Sequence, residues 1–157
     1  MSKTRKLTIS ALFIALYIVL MYFNQAFAFG AIQVRVATAL YALNWIFPFL
    51  IIPSALANML SNILFGGLGP IDAIGGAIVG IVTAGSIVLL KKQGMKDILV
   101  VLPITFVPGI GVPLYLSKLL ELPLLPLIAS LIVGQAIAAF CGWILIKALQ
   151  KHTYSTF

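Results

Sequence analysis

Eight of the chain's ten basic residues fall in three clusters, and nearly charge-free stretches of membrane-spanning length separate them. Lys3, Arg5 and Lys6 form the first, Lys91, Lys92 and Lys96 the second, and Lys147 with Lys151 the third. Between Lys6 and Lys91 the formal charges are Arg35 and Asp72; between Asp97 and Lys147 they are Lys118 and Glu121. Lys and Arg collect on the cytoplasmic side of a bilayer because translocating them is disfavoured. If all three clusters share that side, each interval crosses the membrane an even number of times. A spanning helix uses about 20 residues, from ~30 Å of hydrocarbon at 1.5 Å rise per residue. The first interval therefore fits about four spans and the second about two. The pattern predicts an all-α membrane protein: one integral membrane domain over 1–157, a six-helix transmembrane bundle with N- and C-termini cytoplasmic.

Composition agrees. Hydrophobic residues make up 62% of the chain and charged residues 8%, against roughly 25% charged in a soluble domain. The net charge of +7 is explained by positive-inside signals that also meet anionic lipid headgroups. It does not form the basic face that a phosphate backbone requires, so no nucleic acid partner is expected. Cys141 is the only cysteine, which excludes a disulfide framework. A charged start, an apolar run and Ala26-Phe27-Ala28 imitate a cleavable signal. The apolar run over 7–23 exceeds the usual h-region of about 7–15 residues, so a retained first span is expected.

Apolar runs and breakers place spans over 7–28, from about Ala37, from about Pro53, and over 71–90, 98–116 and 124–146. A charge-free turn over 48–53 joins the second to the third. Pro103, Pro108 and Pro113, with Gly109 and Gly111, predict that the fifth span is kinked or partly unwound. Such backbone is tolerated at membrane depth only under a cover of protein or water. Segments 24–37, 66–72 and 116–121 then fall on the outer side with Arg35, Asp72, Lys118 and Glu121. The amides Asn24, Gln25, Gln33, Asn58, Asn62 and Gln135 lie near the same level. Two readings stand there. Solvated loop residues and caps are one; a polar pocket opening outward to a small molecule is the other, favoured for Arg35 and Gln135. A charge near the bilayer interior costs about 2.5–3.5 kcal/mol on insertion scales, which an outer loop largely avoids.

Ala11/Ala15, Ala57/Ser61, Gly76/Gly80 and Ala138/Gly142 each set two small side chains one turn apart. In lipid, close backbone approach and dispersion drive helix association, so internal packing is the default for such pairs. Ala11 and Ala15 sit just above the basic N-terminus, where a partner protein could dock. Catalysis has little to work with. The only histidine is His152, and no acid pair lies at helical spacing inside a span. One Cys, one His and scattered acids do not make a zinc site, and no metal or other cofactor is expected. No Gly-Lys dipeptide occurs, so there is no phosphate-cradling loop of the Walker type. Uphill transport would need a nucleotide hydrolysed elsewhere, and few buried acids argue against an ion-coupled carrier working alone.

FGAIQVRVATAL at 29–40, LANML at 56–60, PIDAIGG at 70–76 and VGQAIAAFCG at 133–142, with AxxxA in the first helix, carry a resemblance. The chain resembles the substrate-binding S components of energy-coupling factor (ECF) vitamin transporters, and among them the QueT-like branch linked to queuosine-precursor uptake. The resemblance implies a bacterial plasma-membrane subunit that is not itself an enzyme. It also implies a transmembrane coupling protein and two cytoplasmic ATPases as partners, and a deazapurine such as preQ0 or preQ1 as ligand. Gln33, Arg35, Asn58, Asp72 and Gln135 would contact the ligand's edge, and Phe27, Phe29, Trp45 and Tyr115 its faces. Ala11 and Ala15 would dock the partner. In the family the arginine is followed by Val-Ser-Glu, where this chain continues Val36-Ala37-Thr38. The fifth helix there tends to carry an asparagine where Pro108-Gly109 stands here. A small membrane enzyme acting on lipids, and a non-transporting assembly or pore protein, are the alternatives.

Overall fold

The computed structural model describes residues 1–28, 34–66 and 68–154, with side chains to residue 151. Among these residues the chain is helical, without strands. Helix α1 covers Lys3–Ala28 and is followed by a 3₁₀ helix, Val36–Trp45. A 3₁₀ turn at Pro48–Leu50 leads into α2 (Ile51–Ser61), which widens into a π turn at Asn62–Gly66. Then come α3 (Pro70–Lys92), a 3₁₀ turn at Asp97–Val100, α4 (Val101–Leu119) and α5 (Leu124–Tyr154). Among the described residues, five stretches are long and apolar enough to cross a bilayer: Lys3–Ala28, Pro48–Gly66, Pro70–Lys92, Asp97–Leu119 and Leu124–Lys151.

The 3₁₀ helix is the sixth element between the two ends, running from beside Arg35 to Trp45 beside Lys91. At about 2.0 Å rise per residue, ten residues reach about 20 Å. Its tight ladder is largely covered, with eight of its ten residues buried. That cover is what irregular backbone needs at membrane depth. The expected unwinding of the fifth span does not occur, because α4 runs unbroken through Pro108 and Pro113. Pro103 lies in its first turn, where an amide has no intrahelical partner in any case. The close approach of α5 covers the rest: a Cβ on Gly109 would stand 2.9 Å from Ile132 Cγ1.

Contacts at one end of the bundle tie its basic clusters together. Lys6 Nζ lies 5.9 Å from the centroid of the Phe49 ring, and Lys91 donates to the Trp45 carbonyl. Lys147 Nζ is 2.8 Å from Asp97 Oδ2, and Trp143 Nε1 donates to Asp97 Oδ1 at 3.4 Å. These pairs join the start of α1 to the turn before α2, the 3₁₀ helix to the end of α3, and the start of α4 to α5. All three clusters therefore share an end, and Arg35, Asp72, Lys118 and Glu121 occupy the other.

Three of the four small-residue pairs pack inside the bundle. Ala57, Ser61 and Ala138 are buried. Gly76 and Gly80 meet α2, and a Cβ on Gly142 would stand 2.6 Å from the Ala39 carbonyl. Ala11 and Ala15 differ: both are exposed. Helix α1 turns Phe13, Tyr17 and Met21 inward, with ring centroids 6.4 Å apart for Phe13–Tyr17 and 5.8 Å for Tyr17–Tyr41. A residue two positions away sits about 200° around the helix, which puts Ala11 and Ala15 on the opposite face.

Candidate functional site

Helix α2 and the π turn that extends it carry Ser54, Asn58 and Asn62 four residues apart, a polar stripe along one face. Helix α3 answers with Asp72, Gly76 and Gly80 at the same spacing, running the other way. The stripes mesh. Asn62 Nδ2 donates to the Asp72 carbonyl at 3.0 Å and to its Oδ1 at 3.1 Å. Asn58 Nδ2 donates to the Gly76 carbonyl at 2.9 Å. Glycine makes this register possible. A Cβ on Gly76 would lie 2.5 Å from Asn62 Nδ2, and one on Gly80 would lie 3.0 Å from Ala55 Cα.

Arg35 enters from the segment before the 3₁₀ helix. Its Nη1 donates to Asn62 Oδ1 at 3.1 Å and to Asn58 Oδ1 at 3.5 Å. From α4, the Tyr115 hydroxyl donates to Asp72 Oδ1 at 3.1 Å. The result is a relay, Arg35–Asn62–Asp72–Tyr115, in which one amide bridges a guanidinium and a carboxylate. Beside it, the Thr38 hydroxyl lies 2.7 Å from both the Arg35 carbonyl and Gln135 Oε1. A hydroxyl has one proton, so both contacts are hydrogen bonds only if Thr38 donates to the Arg35 carbonyl and the Gln135 amide is turned to donate its NH₂ to Thr38 Oγ1. Thr38 joins this cluster through Gln135.

Arg35 is 4% exposed, Asn58 and Asn62 3%, and Asp72 and Gln135 1%. Water therefore does not solvate these groups, and their hydrogen bonds must come from one another. Lys118, in the last turn of α4, and Glu121, at φ 55° in the turn before α5, are both exposed and stand apart from the cluster. Phe27 is 67% exposed, and Trp45 is at the far end beside Lys91, so neither joins the cluster. Gln33 and Phe29 lie outside the described residues. Asn24 donates to the Val34 carbonyl and Val34 N to the Phe27 carbonyl at 3.1 Å, so the chain returns to α1 just before Arg35.

Two grooves flank the first turns of α3. One, of about 450 Å³, is lined by Met59, Asn62, Ile63, Gly69, Pro70, Ala73 and Ile74. The other, of about 510 Å³, runs between α3 and α4 from Tyr115 past Gly75 and Gly111 to Val107. Asn62 and Tyr115 connect the relay to these apolar surfaces. Asn62 had only its level to mark it in the sequence; its four-residue spacing from Asn58 was the available signal. Thr38, three residues after Arg35, carried none.

The profile of the QueT transporter family matches residues 7–151, a stretch that contains the whole relay and reaches into every helix. The chain belongs to the QueT transporter family. No curated protein and no solved structure matches it. Family and fold together make it a multi-pass cell-membrane protein that transports a small molecule.

Proposed function

We propose that the chain is the substrate-binding S component of an ECF-type importer. It captures a queuosine precursor, a deazapurine such as preQ0 or preQ1, and hands it to a transmembrane coupling protein driven by two cytoplasmic ATPases. The observation that carries this reading is the buried Arg35–Asn62–Asp72–Tyr115 relay, at the end of the bundle remote from all three basic clusters. With the basic end cytoplasmic, as charge distribution favours, the relay faces outward, where a solute arrives. A guanidinium and a carboxylate at this depth are costly for stability alone, and both suit a planar, edge-polar ligand. The outward face of Ala11 and Ala15 supports a docking role toward the coupling protein, because small side chains admit a second backbone closely. The sequence has no phosphate-cradling loop of the Walker type, so this reading assigns nucleotide hydrolysis to the partners.

The test is direct binding to the purified chain in detergent, using preQ0 and preQ1. Saturable binding of either is expected. Arg35→Ala should weaken it by about 1–3 kcal/mol, the cost of stranding a buried partner. Wild-type affinity in a folded Arg35→Ala protein would leave Arg35 a structural role only.

A further inference from the structure

Asp72 holds an unused acceptor. The residue is 1% exposed, and the Asn62 amide and the Tyr115 hydroxyl both donate to its Oδ1. Oδ2 is buried and meets no donor among the described residues. A carboxylate offers about four lone-pair sites, and a buried one left unfilled is costly enough to call for an explanation.

The bridging residue suggests what fills it. Asn62 presents a primary amide with its oxygen on Arg35 and its nitrogen on Asp72. Any group that replaces it must offer the same pair: an acceptor toward the guanidinium and an N–H toward Oδ1. A ring lactam does so with adjacent C=O and N–H. An amino group on the next ring carbon would then point at Oδ2. The adjoining groove of about 450 Å³, which Asn62 itself lines, gives the displaced amide room to swing aside.

We infer that Arg35 and Asp72 read the acceptor–donor–donor edge of a 2-amino-4-oxopyrimidine ring, as in guanine-type bases, and that Asn62 holds the edge's place. The inference rests on the substrate-binding reading above and narrows it to one edge and two residues. Arg35 donates to the ring carbonyl, Asp72 Oδ1 accepts from the ring N–H, and Asp72 Oδ2 accepts from the exocyclic amine. The carboxylate is thus the specificity-determining group. A ligand lacking the amine leaves Oδ2 unfilled, and one with oxygen in its place sets acceptor against acceptor.

Binding of three probes to the purified full chain tests this: 7-deazaguanine, 7-deazahypoxanthine and 7-deazaxanthine. The wild type should prefer 7-deazaguanine to 7-deazahypoxanthine by roughly ten- to a hundredfold, the range for a hydrogen bond to a charged group. It should reject 7-deazaxanthine at least as strongly. Asp72→Asn places an NH₂ where Oδ2 was, so it should lose the preference for 7-deazaguanine and gain affinity for 7-deazaxanthine. Equal wild-type affinity for 7-deazaguanine and 7-deazahypoxanthine overturns the edge reading while leaving a deazapurine transporter standing, and this comparison needs no variant. A folded Asp72→Asn protein that still prefers 7-deazaguanine also overturns it. If the wild type binds none of the three probes, nor preQ0 or preQ1, the substrate reading falls with it.

Discussion

Adding one methyl group at Gly76 should break the relay from beneath. The new Cβ would stand 2.5 Å from Asn62 Nδ2 and 3.4 Å from Asn58 Cγ and Oδ1. The Asn62 amide is the tip of a flexible side chain, so it moves rather than the backbone. Moving it breaks its bonds to Arg35 and to the Asp72 carbonyl and carboxylate. Side-chain hydrogen bonds in a bilayer average about 0.6 kcal/mol and reach about 1.7, so three of them amount to about 2 kcal/mol or more. Alanine returns about 1 kcal/mol of helix propensity. Gly76→Ala should therefore destabilise the ligand-free chain by about 1 kcal/mol or more. Gly85 lies in the same helix, where a Cβ meets nothing within 4 Å. Gly85→Ala should stabilise by about 1 kcal/mol and leave binding unchanged. Reversible unfolding in mixed micelles, followed by helical circular dichroism, measures both against the wild type. Equal stability of the two alanine variants would refute the claim that the α2–α3 register depends on a missing Cβ.

Two further outcomes are expected. Ala11→Leu/Ala15→Leu should leave ligand affinity intact while abolishing cellular uptake and co-purification with the ATPases, since both residues are exposed on the face of α1 opposite Phe13 and Tyr17; a double variant that transports normally would remove this face from the mechanism. On a Cys141→Ala background, a membrane-impermeant thiol reagent added outside should label a cysteine placed at Lys118 and miss one placed between Lys91 and Lys96, and the reverse pattern would invert the orientation.

Charge spacing made the number of passages legible, because each basic cluster is expensive to move through lipid and so marks a side. The same spacing set Arg35 and Asp72 at one level. The 3₁₀ form of the second passage was not legible: an apolar run of ten residues has no period to show, and the choice of ladder depends on its surroundings. Pro108 and Pro113 pointed toward a break that α4 does not make. A proline's local effect is visible in sequence, whereas the neighbouring helix that lets the helix continue is not. The bridging role of Asn62 depends on the antiparallel register of α2 on α3, which a single helix cannot reveal. The outward turn of Ala11 and Ala15 needed only one further fact, the inward direction of Phe13 and Tyr17.

The meshed stripes of α2 and α3 also bear on how the chain reaches the membrane. Alone, α2 would bring Ser54, Asn58 and Asn62 into hydrocarbon with their side-chain amides and hydroxyl unmatched, each at a cost. Ser54 is met by Asn44 of the preceding 3₁₀ helix, but the NH₂ groups of Asn58 and Asn62 are met by the Gly76 carbonyl and Asp72, which follow almost at once, with 66–70 as the connection. Inserted singly, either helix carries polar groups that lipid cannot match. Inserted as a hairpin, the two cancel most of that cost before the other helices arrive. During synthesis the favourable moment for this segment to leave the translocation channel is therefore after α3 has been made, with α2 held back until its glycine-faced counterpart emerges.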